Sequence, residues 1–583
     1  MNSSLSSTYR VGVCIFVCLY PLSLLLWRYG LHIAYSQTAA DVFYYLTVAI
    51  NSHFPMFSFN GQDPTNGFHP LWQALLTGLA RMVHDRELLL DCTLALSALL
   101  TTAGYCIAVT ALTALGTPTV LALFLIPGSL FLALGTINAP WMAGGWAFMN
   151  GMETGLTILF VGCFLLLTSR YLTGHGSLTA FIAKAGLLMP LIVLSRLDDI
   201  FLLVGGSIAL VATREVLSWR QVRAQLMLGL PTVIVVVGYL AFNLWYSGFL
   251  LPVSGAAKSG FAAPKNAYYI LCLMFPPVAD LINLASGTVL QTFNPWDLIG
   301  WRAVQMIWPV LLAGTVLLCR RSALTSLPVA VRSNERVRCV LIWVTSYVVL
   351  KSLYNFLNVG LIAQGNWYYA GPLLTADFLL LGFVLGPVLS NARLTFGTRV
   401  PRAALLLPFV FMLLAANAYF EERSAKQGTG FRALMANRQT VAAALDPGQR
   451  IIDFDDGVFA YSLGAPAISG LGLVASRWDF EARKHGRFLH EAVAQGYDVF
   501  CFLQYSNFSP ERSASEQLRQ DFIASSSFRG QGLDIADFDY RIIAAEPASR
   551  SICLKATARQ DPSLPGTDQH VTGPLTDASR EIK

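Results

Sequence analysis

Five short polar stretches interrupt a chain that is otherwise largely apolar, and each carries groups able to move a proton or hold a charge. Asp41 heads Asp41-Val42-Phe43-Tyr44-Tyr45-Leu46, and a turn-rich segment follows that holds Asp63, Asn66, His69 and Trp72. Glu153 closes Asn150-Gly151-Met152-Glu153, and Arg196, Asp198 and Asp199 fall within five residues. Lys258 ends the glycine- and serine-bearing run Leu251-Pro252-Val253-Ser254-Gly255-Ala256-Ala257-Lys258. Gln364, Asn366, Trp367 and Tyr368 stand together near residue 366. A carboxylate in a partly desolvated site suits removal of a proton from a hydroxyl. An ammonium among glycine N–H groups suits an anion, although no Walker pattern accompanies it. Trp and Tyr faces beside amides suit sugar rings.

Each stretch also has a purely structural account. Asp41 and Glu153 fall where helices start, and a carboxylate there is favoured by the helix dipole. Arg196 can pair locally with Asp198 or Asp199, Lys258 can snorkel from a loop, and the aromatics near Trp367 can form an interfacial belt. Residue types alone leave these alternatives open.

The elements that must position these groups are membrane helices. Over 583 residues, 55% are hydrophobic and 13% charged, and mean hydropathy is +0.54. This composition excludes an ordinary soluble enzyme. The net charge of +6 includes no basic run of the kind that grips nucleic acid. Apolar runs of spanning length occur near 11–33, 88–114, 118–136, 151–169, 178–194, 197–213, 226–246, 303–319, 339–358, 369–391 and 403–418. The N-terminal run lacks a small-x-small cleavage site and is expected to remain as the first span.

The segment 71–83 is too short to span comfortably and carries Arg81. If it lies in the interface, the inner loops hold Arg170; Arg214, Arg220 and Arg223; Arg320, Arg321, Arg332, Arg336 and Arg338; and Arg393, Arg399 and Arg402. If it spans, all of them fall outside. The positive-inside rule selects the first choice: eleven spans, the N-terminus inside and the C-terminal segment outside. That topology, set by arginines alone, sends Asp41, Glu153, Arg196 with Asp198 and Asp199, Lys258 with Lys265, and Gln364 with Trp367 to one face. Five loops then converge.

From about residue 420 charge returns at soluble density. Strands are expected at 451–454, 467–469, 497–503, 541–544 and 551–555, with helices near 457–463 and 487–495. The chain therefore divides into a membrane domain (1–419), an α/β domain (420–560) for acceptor recognition or lidding, and a disordered end (561–583). Asp453, Asp455 and Asp456 suggest a solvated turn more than a cation site. Ten cysteines form no framework; Cys501 and Cys553 are expected as buried free thiols rather than a disulfide. No CxxC or HExxH spacing marks a metal site.

With these motifs in order, the chain resembles the GT-C superfamily of polytopic glycosyltransferases that use polyprenyl-phosphate sugars. It is similar to bacterial arabinofuranosyl-, mannosyl- and aminoarabinosyltransferases. The resemblance covers residues 35 to about 372, through Asp41-Val42-Phe43-Tyr44-Tyr45-Leu46, Phe59-Asn60-Gly61, Pro64 to Trp72, Gly151-Met152-Glu153-Thr154, Arg196 with Asp198, Leu251 to Gly255 with Lys258, and Trp367-Tyr368-Tyr369 with Pro372. It implies an α-helical polytopic membrane protein of about eleven transmembrane helices with interfacial helices in the first outer loop. It further implies an extracytoplasmic α/β domain and residence in the bacterial inner membrane.

The implied reaction is inverting transfer of a sugar, arabinofuranose by closest resemblance, to a glycan, lipid or protein hydroxyl. It needs no nucleotide, cofactor or obligatory metal. Asp41, Glu153 and Asp198 are the candidate catalytic acids, and Lys258 and Arg196 the candidate phosphate ligands. Tyr44, Tyr45, Asn66, His69, Trp72, Ser254, Gln364, Trp367 and Tyr368 are the candidate substrate contacts. The family usually has two adjacent acids in the first loop, whereas this chain has Ala40 before Asp41; Glu153 or Asp198 would otherwise supply the base. The rival classes are a lipid-linked glycan flippase, a polysaccharide polymerase or ligase, and a non-catalytic scaffold. A transporter usually places polar groups on broken helices near the midplane, which singles out Lys184 and Lys351 as the polar exceptions inside spans.

Overall fold

The computed structural model describes residues 7–29, 38–53, 55–126, 148–213, 218–258, 263–264, 335–358, 366–386, 433–455, 457–503, 534, 537–546 and 551–559. The expected spans 303–319 and 403–418, the domain boundary at 420, Lys265, Gln364, Asp456 and the expected disordered end lie outside them.

The described chain is mostly helical. Helix α1 is Ser7–Tyr29, α2 Val42–Asn51, α3 Pro70–Met82, α4 Arg86–Ala114 and α5 Thr119–Leu123. Helix α6 is Thr154–Leu172, α7 Leu178–Ser195, α8 Ile200–Ala212, α9 Trp219–Ser247 and α10 Val253–Lys258. Helix α11 is Glu335–Asn358, and a 3-10 turn at Asn366–Tyr369 leads into α12, Ala370–Leu379, which continues as a π-turn at Leu380–Leu385. Among the described residues six helices are long and apolar enough to cross a membrane: α4, α6, α7, α9, α11 and the run Trp367–Leu385.

One expectation changes. The run 197–213 becomes a 3-10 turn, Leu197–Asp199, followed by the 13-residue α8. Its two acids sit in the turn, with Asp199 at the N-cap of α8, and both are paired with cationic side chains. The run 118–136 lies largely outside the described residues, which hold the five residues of α5 and end at Ile126. Helix α3, in contrast, matches the expected non-spanning segment. Its 13 residues rise about 20 Å, short of a hydrocarbon core of about 30 Å.

Small residues let the central helices touch. A Cβ on Gly104 of α4 would lie 2.7 Å from the Ile158 carbonyl of α6, and one on Gly162 would lie 2.6 Å from the Gly104 oxygen. Such small-residue seams are how helices associate where lipid competes for apolar surface. The helix ends sort by charge. At one end Arg336 donates to the Tyr171 carbonyl at 3.0 Å and Arg338 to the Ala212 carbonyl at 3.3 Å, with Arg220 and Arg223 in the first turns of α9. At the other end lie the N-termini of α4 and α6 and the C-termini of α7, α9 and α11. Every described candidate site residue is there.

The C-terminal segment contains α13 (Arg438–Ala443), β1 (Arg450–Asp453), α14 (Val458–Leu463), β2 (Ala467–Ser469), α15 (Arg477–Lys484), α16 (Phe488–Ala494), β3 (Tyr497–Leu503), β4 (Phe538–Glu546) and β5 (Ser551–Ala558). Its sheet has the order β2-β1-β3-β5-β4, parallel on the β2-β1-β3 side and antiparallel on the other. All five expected strands are present. Two local expectations are overturned. Cys501 and Cys553 face each other across the β3–β5 ladder and form a disulfide, because the strand register places them directly opposite. Asp453 and Asp455 are not a solvated turn. Asp453 is fully buried and accepts from the N–H groups of Asp455 and Ala460 at 2.9 and 2.8 Å, and Asp455 accepts from the Leu503 N–H. They bind the β1–α14 turn from inside.

This sheet domain packs on the first outer loop. Phe43 meets Tyr461 with ring centroids 5.5 Å apart, Ser469 donates to the Tyr44 hydroxyl at 3.2 Å, and Trp478 Nε1 donates to Asp63 at 3.0 Å. Asn60 donates to the Tyr497 hydroxyl at 3.2 Å and Thr65 to the Ala475 carbonyl at 3.1 Å. The loop from Asp41 to Trp72 is therefore held between helices and sheet.

Candidate active site

Two backbone features join the loop of Asp41 to the loop of Glu153. The Ala39 N–H donates to the Asn150 carbonyl at 2.9 Å. Gly151, at φ +87°, lets the turn close on Val42, whose Cγ2 would be 3.1 Å from any Cβ there. Only glycine takes this φ at no cost. The chain then enters α6, with Glu153 at the N-cap position.

Asp41 and Glu153 both stand at N-cap positions, as the dipole account expects, but neither makes a side-chain capping bond. Asp41 is half-buried, one turn before Tyr45 on α2, and residues four apart share a helix face. Tyr45 donates to Glu153 Oε2 at 3.3 Å and accepts from the His69 N–H at 3.3 Å. Burial, then the Glu153 charge, pushes the Tyr45 hydroxyl well above its usual range, which keeps it a donor. His69 Nε2 is 3.4 Å from Glu153 Oε1.

Arg196 is the hub. It leaves α7 in an extended conformation, φ −155° and ψ 112°, which aims its side chain across the bundle end. Its Nη1 donates to Glu153 Oε1 at 2.8 Å and to the Trp367 carbonyl at 3.4 Å. Its Nε is 3.0 Å from Asp198 Oδ1, and its guanidinium lies 4.2 Å from the centre of the Tyr368 ring. The Nε–Asp198 contact is an ion pair without hydrogen-bond alignment. Arg196 and Glu153 are each about 1% exposed, whereas the side chain of Asp198 is 15% exposed and that of His69 25%.

One participant was not assigned to the site from sequence. Lys351 of α11, marked there only as a polar exception inside a span, is fully buried. It donates to Asp199 and lies 3.6 Å from Asp198 Oδ2. Tyr347, one turn earlier, donates to Asp199 at 2.6 Å, and Asn355, one turn later, donates to the Tyr368 carbonyl at 3.4 Å. The i, i+4, i+8 spacing of Tyr347, Lys351 and Asn355 was the available signal. Lys184 is exposed and takes no part.

Charge bookkeeping constrains the chemistry. Glu153, Asp198 and Asp199 bring three negative charges against two positive ones from Arg196 and Lys351, with His69 at the rim as a titratable third cation. Both buried cations are committed to carboxylates.

The remaining candidates take varied places. Asn66 is buried and bridges, its amide donating to the Leu251 carbonyl at 3.1 Å and accepting from the Val253 N–H at 3.0 Å. It thereby ties the first loop to α10, where Ser254 is half-buried and Lys258 is the last residue. Trp72 is fully buried on α3, and its Nε1 has no hydrogen-bond partner among the described residues. Trp367 is 7% exposed and its ring lies 5.9 Å from that of the half-buried Tyr368. Tyr44 is occupied by the sheet domain through Ser469.

Among the described residues the one group able to hold a cation by spacing is His490, Asp534 and Asp537, far along the chain in the sheet domain. Asp534 there already accepts from the Leu489 and His490 N–H groups at 2.8 and 3.0 Å.

No protein-family model matches this sequence, and no curated protein matches it. Among solved structures, the chain is similar to the oligosaccharyltransferase of Archaeoglobus fulgidus in its apo form: 12% identity, 96% of this chain and 75% of that one, TM-score 0.49. It is also similar to ArnT from Cupriavidus metallidurans bound to undecaprenyl phosphate, with 13% identity, 94% of this chain and 97% of that one, TM-score 0.47. AglB from A. fulgidus, in complex with an inhibitory peptide and a dolichol-phosphate, matches at 12% identity over 96% of this chain and 75% of that one, TM-score 0.43.

Proposed function

We propose that this chain is a membrane glycosyltransferase that moves a sugar from a polyprenyl-phosphate donor to an acceptor hydroxyl at the bundle end described above. The observation that carries the proposal is the run of contacts Tyr45–Glu153–Arg196–Asp198 beside the half-buried Asp41. Three segments distant in sequence are locked into one polar site at the end opposite the arginines of α9 and α11.

Asp41 is the general base. Asp41 is assigned this role because it lies half-buried at the start of α2, one turn before Tyr45, which donates to Glu153. It removes the hydroxyl proton as the oxygen attacks the anomeric carbon; the bond to the lipid phosphate oxygen breaks and the configuration inverts. Glu153 and Arg196 act by position. Lys258, with Ser254 on the same short helix, supplies the cation for the departing phosphate, a role that Arg196 is too committed to fill alone. Tyr368, backed by Arg196, and Trp367 form the sugar platform. With Ala40 before it, Asp41 is the acid of the first loop to which this role is assigned, and Glu153 or Asp198 is the alternative.

Arabinofuranose is the proposed sugar and a cell-envelope glycan, lipid or protein the proposed acceptor. The site is assigned to the extracytoplasmic face of a bacterial inner membrane, with the N-terminus cytoplasmic. The arginine-rich opposite end supports this orientation, as does the Cys501–Cys553 disulfide, since disulfides persist in oxidising compartments.

The test is incubation of the purified protein with a panel of sugar-labelled polyprenyl phosphates and envelope acceptors. Transfer of label with release of free polyprenyl phosphate supports the proposal. Movement of intact donor across vesicle membranes without bond cleavage would instead make the protein a transporter.

A further inference from the structure

We propose that Lys351 is a positioning residue for the active site, acting from inside the membrane span through Asp198 and Asp199. An ionisable group within a span is costly and is retained where it has a partner and a task. Lys351 lies seven residues before the end of α11, about 10 Å along the helix. Its side chain, like that of Asp199, is 0% exposed.

The geometry is a relay. Asp198 and Asp199 share the 3-10 turn that links α7 to α8, and Lys351 holds both, one by direct donation and one at 3.6 Å. Tyr347 adds a 2.6 Å hydrogen bond to Asp199. Asp198, fixed from below by Lys351, meets Arg196 Nε at 3.0 Å, and Arg196 in turn meets Glu153 at 2.8 Å. The ion pairs of Lys351 are with Asp198 and Asp199, so its coupling to Glu153 runs through this turn. The surroundings are tight: a Cβ on Gly371 of α12 would overlap the Tyr347 hydroxyl and lie 3.3 Å from Asp199 Oδ1. Without Lys351, two adjacent carboxylates face a low-dielectric interior with Arg196, and His69 at the rim, as the cationic groups left to them among the described residues. One must take up a proton or the turn must open. Either change shifts Asp198 and removes one of the contacts that fix Arg196, leaving Glu153 and the Trp367 carbonyl to hold it.

The inference rests on the transferase reading only for its kinetic arm, and a thermal arm stands without it. In detergent, apparent unfolding midpoints are measured for the wild type, Lys351→Met, Glu153→Gln and the double variant. The relay predicts that the double variant loses clearly less than the sum of the single losses, because both substitutions disrupt one network. Additive losses would overturn it. If Lys351→Met does not fold, Tyr347→Phe with Glu153→Gln runs the same cycle with a milder change.

In the kinetic arm, Lys351→Met is expected to lower kcat about 100-fold per folded enzyme, the scale of a 1 Å misplacement, with donor KM within about threefold of wild type. Lys351→Arg should recover at least about tenfold of that loss. A kcat per folded enzyme equal to wild type would refute the positioning role. Absence of any wild-type transfer would sink the transferase reading and leave the thermal cycle to decide on Lys351.

Discussion

Replacing Glu153 by Gln keeps the side-chain volume and one acceptor oxygen while removing the charge. In the wild type, Glu153 Oε1 lies 2.8 Å from Arg196 Nη1 and 3.4 Å from His69 Nε2, and Oε2 accepts from Tyr45 at 3.3 Å. Removing one partner of a buried pair costs about 3–5 kcal/mol. The lower end applies here, since Asp198 still faces Arg196 at 3.0 Å and the new amide oxygen can accept from Nη1. With about 2 cal/mol/K of unfolding entropy per residue over 583 residues, a loss of about 3 kcal/mol lowers the apparent midpoint by about 3 °C. Turnover should fall further than stability suggests, by about 10- to 100-fold, because a loosened guanidinium no longer fixes Tyr368 or the Trp367 carbonyl. The assay pairs a tryptophan-fluorescence melt in detergent with steady-state release of polyprenyl phosphate. A Glu153→Gln variant that melts and turns over like wild type would refute the claim that Glu153 and Arg196 organise the site.

Two further outcomes concern the sheet domain. Burial pushes the Asp453 carboxyl from 3.8 up to about 6, so the folded state holds its proton more tightly than the unfolded one. Its contribution is fully present below pH about 4 and is lost as pH rises through about 6. The domain should therefore melt higher at pH 5 than at pH 7.5, Asp453 contributing a free-energy difference on the order of 1.5 kcal/mol, and Asp453→Asn should reduce that dependence in a tryptophan-fluorescence melt, with Asp455, also pushed well up by burial, supplying the rest. Opening the Cys501–Cys553 link, which closes 52 residues, by Cys501→Ser with Cys553→Ser should cost about 4 kcal/mol. An unchanged denaturation midpoint for the sheet domain would show that the link does not stabilise it.

Most of the site could be read from sequence because its parts are polar islands in apolar surroundings. On the parity chosen from the arginines, Asp41, Glu153, Arg196, Asp198 and Trp367 share one end, and contacts in the structure join the segments of Tyr45, Glu153, Arg196 and Trp367. Lys351 was marked but not placed, since a lone lysine inside an apolar run gives no hint of a partner 152 positions away. Its partners, Asp198 and Asp199, become visible only when α8 packs on α11.

Asn66 illustrates the opposite error of emphasis: its type fits a substrate contact, yet its amide is used in bridging to Leu251 and Val253. In the sheet domain, alternation of apolar residues gave the strands. The pairing of Cys501 with Cys553 depended on strand register, which no local pattern encodes. Helix α15, Arg477–Lys484, escaped notice because it is mostly polar, with Asp479 and Ala482 its buried residues.

The central claim is that Asp41 is the base of a lipid-phosphate-dependent sugar transfer. It is tested most directly by the rate of polyprenyl phosphate release at saturating labelled donor, comparing wild type with Asp41→Asn at equal folded concentration. The expected result is acceptor-dependent release by the wild type and a loss of at least about 100-fold in the variant, with donor binding retained. Release by Asp41→Asn at the wild-type rate would contradict it.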